Sequence, residues 1–148
     1  MDVIFVDLTK ENLDGVLVMQ KELGILMDTY IPEIFPPSES SIDEDMNYWN
    51  SIIDGTEGFG KVAIHGDEIV GFVVVEKWMG CIVSLYVKDQ YRNQGIATQL
   101  IKCCEDKARE QGRRFISLDI LAGNSQALAL YKKLGFYDYK TTMIKDLV

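Results

Sequence analysis

Residues 85–98 read LYVKDQYRNQGIAT, a pattern that predicts a β-strand, a polar loop and the first turn of a helix. Such a turn offers backbone amides without an intrahelical partner and the positive end of the helix dipole. Gly95 and Ala97 let an anion approach the backbone closely, and Arg92 adds a positive charge. The stretch therefore favours an anion site, with an ordinary strand-to-helix connection as the alternative.

This stretch differs from two widespread phosphate-binding motifs. A nucleotide P-loop ends in Gly-Lys-Ser or Gly-Lys-Thr, and residues 95–97 read GIA. The dinucleotide fingerprint needs several glycines at fixed spacing, and residues 90–98 contain only Gly95. A mononucleotide or dinucleotide site of either kind is excluded here.

Hydrophobic periodicity on either side predicts the remaining elements. The predicted strands are Val3–Leu8, Phe59–His65, Ile69–Lys77, Cys81–Val87 and Phe115–Ile120, followed by a closing hairpin of Phe136–Tyr139 and Thr142–Leu147. The predicted helices follow Thr9, cover Glu39–Ile53 and Gly95–Gln111, and start at Asn124 or Ser125. The order β-α-α-β-β-β-α-β-α-β-β predicts one α+β domain over residues 1–148. Its central mixed, mostly antiparallel sheet would be flanked by about four helices.

Charge is distributed unevenly along the chain. The net charge is −8, which argues against nucleic-acid binding. Residues 1–70 carry 15 acidic and 3 basic residues, whereas residues 71–148 carry 8 acidic and 12 basic ones. The asymmetry fits a protein that meets an anion with its second half and a cation with its first half. An uneven solvated surface is the alternative.

Composition limits the other classes of function. No apolar run approaches the roughly 20 residues of a membrane helix, so no membrane association is expected. Three cysteines, Cys81, Cys103 and Cys104, form no paired spacing and favour a reducing, cytoplasmic location. With His65 as the only histidine, no metal site is expected.

Two blocks of the sequence resemble one family. Arg92-x-x-Gly95-x-Ala97 after a strand is similar to the Arg/Gln-x-x-Gly-x-Gly/Ala motif of the GNAT superfamily of acetyl-CoA-dependent N-acetyltransferases. The second block reads LDI at residues 118–120 and NSQALALYKKLGF at residues 124–136, and it also resembles that family. The resemblance implies a GNAT-like fold and acetyl-CoA as the acyl donor.

The resemblance also implies which residues hold the coenzyme. The pyrophosphate would lie on the loop and first turn formed by Arg92, Asn93, Gln94, Gly95, Ile96, Ala97 and Thr98. The preceding strand would splay from the next one, and the backbone of Leu85, Tyr86 and Val87 would hold the pantetheine arm and the thioester carbonyl. Asn124 matches an asparagine that touches the coenzyme, although a plain helix cap explains it equally well.

A general acid is needed for the departing thiolate, and a phenol suits it because its pKa of about 10 is near that of an alkyl thiol. Tyr131 matches the tyrosine that has this role in many members of the family. Tyr131 also shares an apolar helical stripe, so a core aromatic residue is the alternative. As a core residue it would still need a partner for its hydroxyl.

Two carboxylates are candidates for the general base. Asp119 stands where some protein-acetylating members carry a glutamate, and it is one methylene shorter. Glu76, at the end of the middle strand, is the other candidate. Some members use only an ordered water chain.

We expect the acceptor to be a primary amine, attacked directly in a ternary complex, and cationic because the first half of the chain is acidic. Asp43, Glu44 and Asp45 would attract such an amine, or they belong to a solvated helix N-terminus. A non-catalytic acyl-CoA-binding sensor or interaction module is the alternative function. Many relatives pair through their C-terminal strands, which leaves a homodimer open.

Overall fold

A computed structural model of the chain describes residues 2–36 and 45–147. Within these ranges the strands are β1 (Val3–Asp7), β2 (Gly58–His65), β3 (Glu68–Glu76), β4 (Cys81–Val87) and β5 (Ser117–Leu118). The helices are α1 (Leu13–Asp28), α2 (Met46–Ile53), α3 (Ile96–Glu110) and α4 (Ser125–Lys133). A membrane-spanning helix would have to be longer and more apolar than any of these described helices.

The described strands form one mixed sheet in the order β1-β2-β3-β4-β5. Neighbours from β1 to β4 run antiparallel, and β5 runs parallel to β4. The predicted hairpin of β2 and β3 is confirmed, with its turn at Gly66 and Asp67. Since β3 is buried on both faces, its sequence EIVGFVVVE lacks the polar alternation of a half-exposed strand.

Helices cover both faces of the sheet. On one face, called the α1 face, Met19 of α1 and Trp49 of α2 are part of one buried cluster. On the other, called the α3 face, Leu100 and Cys104 of α3 are fully buried, and Tyr131 of α4 packs against the same cluster. Successive side chains of β3 alternate between these two cores.

β4 and β5 pair over only two residues, from Cys81 and Ile82 to Ser117 and Leu118. The strand predicted at Phe115–Ile120 is therefore shorter than expected, because the chain diverges from β4 after Leu118. The divergence confirms the splay that the family resemblance implied. It opens a wedge and leaves the rest of β4 without a strand partner on that edge among the described residues.

The predicted closing hairpin of Phe136–Tyr139 and Thr142–Leu147 is wrong, because residues 136–147 form no strand. Phe136 still packs against the α3-face core, but the apolar side chains after it lie outside the core, with exposed fractions of 87% for Tyr137 and 88% for Met143. A two-residue β5 is too short an edge to organise a further hairpin beside it.

The helix predicted at Glu39–Ile53 is described only from residue 45 onward, and its first residues lie outside the described ranges. The described part, α2, ends at Ile53 as predicted. The Asp45 carboxylate caps α2 by accepting a hydrogen bond from the Tyr48 amide at 3.1 Å. This contact accounts for Asp45 as a helix cap, whereas Asp43 and Glu44 lie outside the described residues.

Candidate active site

The N-terminus of α3 is open to solvent and built for close approach. Gly95 is its N-cap at φ 81°, a left-handed conformation that other residues adopt only under strain. A Cβ placed on Gly95 would meet nothing within 4 Å. The Gln99 amide donates to the Gly95 carbonyl at 3.1 Å, so helix geometry leaves the amides of residues 95–98 ahead of the hydrogen-bond ladder. This turn can bind an anion.

Arg92 holds the loop that leads into this turn. Its Nε donates to the Val87 carbonyl at 2.9 Å, and its Nη1 lies 3.2 Å from a carboxylate oxygen of Asp89. The guanidinium also lies over the Tyr86 ring, 5.4 Å from the ring centroid. Arg92 is thus fixed against β4 and adds its positive charge to the loop that leads into α3.

The side chains of the three β4 residues predicted to hold the pantetheine arm point to different faces. Leu85 and Val87 pack into the α3-face core, whereas Tyr86 packs on the α1 face. Burial raises the pKa of the Tyr86 phenol, and the nearby Glu22 carboxylate raises it further. Leu85 and Val87 therefore have only backbone groups to offer the wedge. Ile96 is likewise a core side chain, 4% exposed, whose contribution is its amide.

α4 packs Tyr131 on the α3 face of the sheet. Tyr131 packs against the same buried cluster as Leu85 of β4 and Leu118 of β5, and its ring meets Phe136 edge-on with 5.6 Å between centroids. Burial raises the pKa of Tyr131, with no described charged neighbour adding to the shift. Its hydroxyl therefore keeps its proton at neutral pH.

Asn124 is the N-cap of α4, since its Oδ1 accepts a hydrogen bond from the Ala127 amide at 3.3 Å. Asn124 therefore has the helix-capping role that the sequence predicted as the alternative. Capping occupies the oxygen of the side-chain amide and leaves its nitrogen for other contacts.

The two base candidates lie around one thiol at the start of β4. Cys81 is the β-ladder partner of Glu76 on one side and of Ser117 on the other. Burial raises the pKa of the Cys81 thiol, and the carboxylates of Asp119 and Glu76 raise it further. Both carboxylates are therefore close to Cys81. The sequence offered them as alternatives, and the structure brings them to the same place.

Tyr48 belongs to this group, and sequence reasoning missed it. Its hydroxyl donates a hydrogen bond to Glu76 Oε2 at 2.8 Å. Burial raises the pKa of Tyr48, and the Glu76 carboxylate raises it further. The contact joins residues 28 positions apart, so no local pattern signalled it.

The site thus has two ends along β4. The anion-binding turn of α3 follows the C-terminal end of β4, and Glu76, Cys81 and Asp119 surround its N-terminal end. Residues 2–36 and 45–147 contain no group of three His, Cys, Asp or Glu side chains that could hold a metal ion. An anionic ligand bound at the first end can extend along the unpaired edge of β4 to the second.

Comparisons with known proteins agree with this geometry. Residues 25–136 match the model of the acetyltransferase (GNAT) family, and the chain belongs to that family. Over 89 residues it is 33% identical to N-alpha-acetyltransferase 30 of Schizosaccharomyces pombe, a match covering 55% of this chain and 59% of that one. Mycothiol acetyltransferase of Corynebacterium glutamicum is 36% identical over 74 residues, which cover 48% of this chain and 25% of that protein. The chain thus spans little more than half of the first of these relatives and a quarter of the second.

Solved structures share the fold over nearly the full length. The aminoglycoside acetyltransferase AAC(6′)-Iy, solved with a CoA bisubstrate analogue, superposes with a TM-score of 0.79 at 15% identity, covering 99% of this chain and 98% of that one. A tetramutant of the BH1408 protein of Bacillus halodurans gives 0.82 at 19% identity, covering 97% and 99%. At these identities the likeness establishes the GNAT fold.

Proposed function

We propose that this protein is an N-acetyltransferase that moves the acetyl group of acetyl-CoA to a primary amine by direct attack in a ternary complex. One observation carries the proposal: an open, left-handed Gly95 turn at the N-terminus of α3 lies beside a wedge that exposes the edge of β4. Family membership supports the same donor.

The donor would bind through this chain's backbone. The amides of residues 95–98 and the Arg92 charge suit the pyrophosphate, which carries a negative charge on each of its phosphates. The unpaired edge of Leu85, Tyr86 and Val87 suits the amides of the pantetheine arm. Asn93 and Gln94, which are exposed, and Asn124 would add polar side-chain contacts to the coenzyme.

The transfer forms one bond and breaks another. A cationic acceptor first releases one proton to solvent, because only the neutral amine has the electron pair that attacks. The neutral nitrogen then bonds to the thioester carbonyl carbon, and the carbon–sulfur bond breaks. Asp119 or Glu76, directly or through water, takes the second proton, which the nitrogen loses as the new bond forms. Tyr131 donates its phenolic proton to the departing thiolate, and its raised pKa supports this because the acid must stay protonated until the sulfur leaves.

The acceptor that we propose is a cationic amine. Glu76, Asp119 and Glu22 supply carboxylates at the wedge or on the α1 face next to it. Relatives named as an N-terminal acetyltransferase and as an aminoglycoside N-acetyltransferase are consistent with such acceptors. Cations gather at carboxylates through long-range attraction, which screening by salt weakens.

The test is thiol release from acetyl-CoA over a panel of amines, with calorimetric binding of acetyl-CoA alongside. Replacing Tyr131 by Phe should lower kcat at least about tenfold while acetyl-CoA affinity stays, since a general acid typically contributes 10²–10⁴-fold. Tyr137→Phe is the matched control, because Tyr137 is 87% exposed. Tight binding without turnover on any amine would instead favour an acyl-CoA-binding sensor.

We further propose a homodimer in a reducing, cytoplasmic setting. The exposed apolar side chains Tyr137, Met143 and Leu147 support a second copy as the cover of residues 136–147. The cysteines are free, which supports the compartment. Light scattering tests the first statement: Met143→Lys should shift the mass toward one chain, and a monomeric wild type would contradict it.

A further inference from the structure

A cavity of about 330 Å³ opens on the α3 face at the C-terminal end of α3. Its floor is apolar and consists of Phe59, Val75, Cys104, Ala108 and Ile116. It lies at the end of α3 opposite the Gly95 turn, so it takes no part in the proposed donor site. Pockets that hold small molecules start at about 300 Å³.

The cavity persists because backbone forms part of its wall. Gly58 lines it, and a Cβ on Gly58 would lie 2.1 Å from the Val75 carbonyl oxygen. No side chain can therefore grow from that position to fill the space. The side chains of Val75 and Cys104, 3% and 0% exposed, are fixed in the core below.

The rim of the cavity is positive. Arg113 and Lys77 both line it. Arg113 donates from Nη2 to the Lys77 carbonyl at 2.7 Å and from Nε to Gln111 Oε1 at 3.2 Å, which leaves Nη1 for a ligand. Glu76 lines the cavity with its backbone, because its carboxylate binds Tyr48 on the opposite face.

The negative end of the α3 dipole is already compensated within the chain. The Arg113 amide donates to the Ala108 carbonyl at 2.9 Å, and the Gly112 amide donates to the Arg109 carbonyl at 3.0 Å. The two rim cations are therefore not needed to satisfy these carbonyls. Apolar floor and cationic rim together fit one class of ligand.

We propose that this cavity binds a small apolar monocarboxylate, with its hydrocarbon part on the floor and its carboxylate at Arg113 and Lys77. A guanidinium and a carboxylate form short, charge-assisted hydrogen bonds, which fix the orientation. The bound molecule would lie on the α3 face of β3, whereas the carboxylate of Glu76, the residue before Lys77, lies on the α1 face.

The experiment is a titration of the ¹⁵N-labelled full chain with sodium octanoate, followed by amide chemical shifts, without and with saturating CoA. We expect saturable shifts at Gly58, Gly80 and Gln111 that CoA does not reverse. Arg113→Gln should weaken octanoate about tenfold, the value of one charge-assisted hydrogen bond. Ala108→Leu should fill the cavity and abolish the shifts. Lys102→Gln, on an exposed part of α3, removes the same charge and should bind as wild type.

Three results would overturn the proposal. Shifts confined to residues 92–98 would assign octanoate to the Gly95 turn. Equal affinity for octan-1-ol would show that the carboxylate is not recognised. Unchanged octanoate binding by both Arg113→Gln and Ala108→Leu would show that octanoate does not bind in this cavity. Should either variant unfold, Lys77→Gln, at an exposed side chain, carries the same test. The titration measures octanoate binding and not turnover. Its result therefore stands even if the protein proves not to be an acetyltransferase.

Discussion

The Tyr48 hydroxyl lies 2.8 Å from Glu76 Oε2 and donates a hydrogen bond to it, joining α2 to the last residue of β3. Tyr48 sits next to the buried Trp49, whose ring it meets edge-on at 5.4 Å, so the phenol has little freedom to move. A fixed donor fixes the carboxylate that accepts from it. Tyr48 is therefore a positioning residue for one of the two base candidates.

Replacing Tyr48 by Phe is expected to raise the acceptor KM or lower kcat several-fold and leave acetyl-CoA affinity unchanged. The partly buried hydrogen bond to a carboxylate is lost, which should lower the free energy of unfolding by about 1–2 kcal/mol. Steady-state kinetics with the best amine, calorimetry with acetyl-CoA, and urea unfolding measure the three quantities.

Tyr137→Phe again serves as the control, because the same hydroxyl is removed from an exposed ring. A purely structural Tyr48 would show the loss of stability with unchanged KM and kcat. That result would remove Tyr48 from the list of positioning residues.

A second prediction concerns Gly95. Gly95→Ala places a Cβ at φ 81°, which costs roughly 1–2 kcal/mol, and it reshapes the turn that offers its amides to the donor. We expect acetyl-CoA affinity to fall at least tenfold by calorimetry. Gly24→Ala is the matched control: Gly24 lies within α1 with open space around it, so Ala should stabilise the protein by about 0.5–1 kcal/mol. Equal donor affinity in both variants would contradict an anion site at Gly95.

Local patterns in the sequence predicted what depends on neighbours along the chain. The Arg92 to Ala97 turn, the α3 helix and the Asn124 cap were predicted because each depends on a few consecutive residues. The Tyr48–Glu76 contact was not, since it depends on how α2 packs across the α1 face.

The closing hairpin failed for a related reason. Residues 136–147 alternate well enough to resemble strands, but a strand forms only beside a partner edge. β5 pairs with β4 at Ser117 and Leu118 alone, so that edge is absent from the described chain. The same short pairing opens the wedge between β4 and β5. The sequence predicted this wedge only through the family resemblance.

The two carboxylates beside Cys81 give a third prediction. If Asp119 is the base, Asp119→Asn should lower kcat about a hundredfold or more, with Glu76→Gln affecting mainly KM. The reverse pattern would assign the base to Glu76. The kinetic pH profile of each variant separates the roles, because loss of the base removes the acidic limb. Two mild, additive effects would instead indicate proton transfer through water alone.

Stability at high pH should depend on Cys104. Its thiol is fully buried, and this burial raises its pKa to about 12, against about 8.5 when unfolded. Between those values the folded chain keeps a proton that the unfolded chain has released, so the free energy of unfolding falls as pH rises, by at most about 1.4 kcal/mol per pH unit. Below about pH 8.5 both states are protonated and the stabilisation is complete.

Urea unfolding under reducing conditions from pH 8 to 11 measures the slope. Cys104→Ala should be less stable at pH 8, because a cavity replaces the sulfur, yet show a shallower decline. Parallel slopes for the two proteins would mean that Cys104 does not titrate in this window and that other groups, the thiols of Cys81 and Cys103 among them, cause the whole decline.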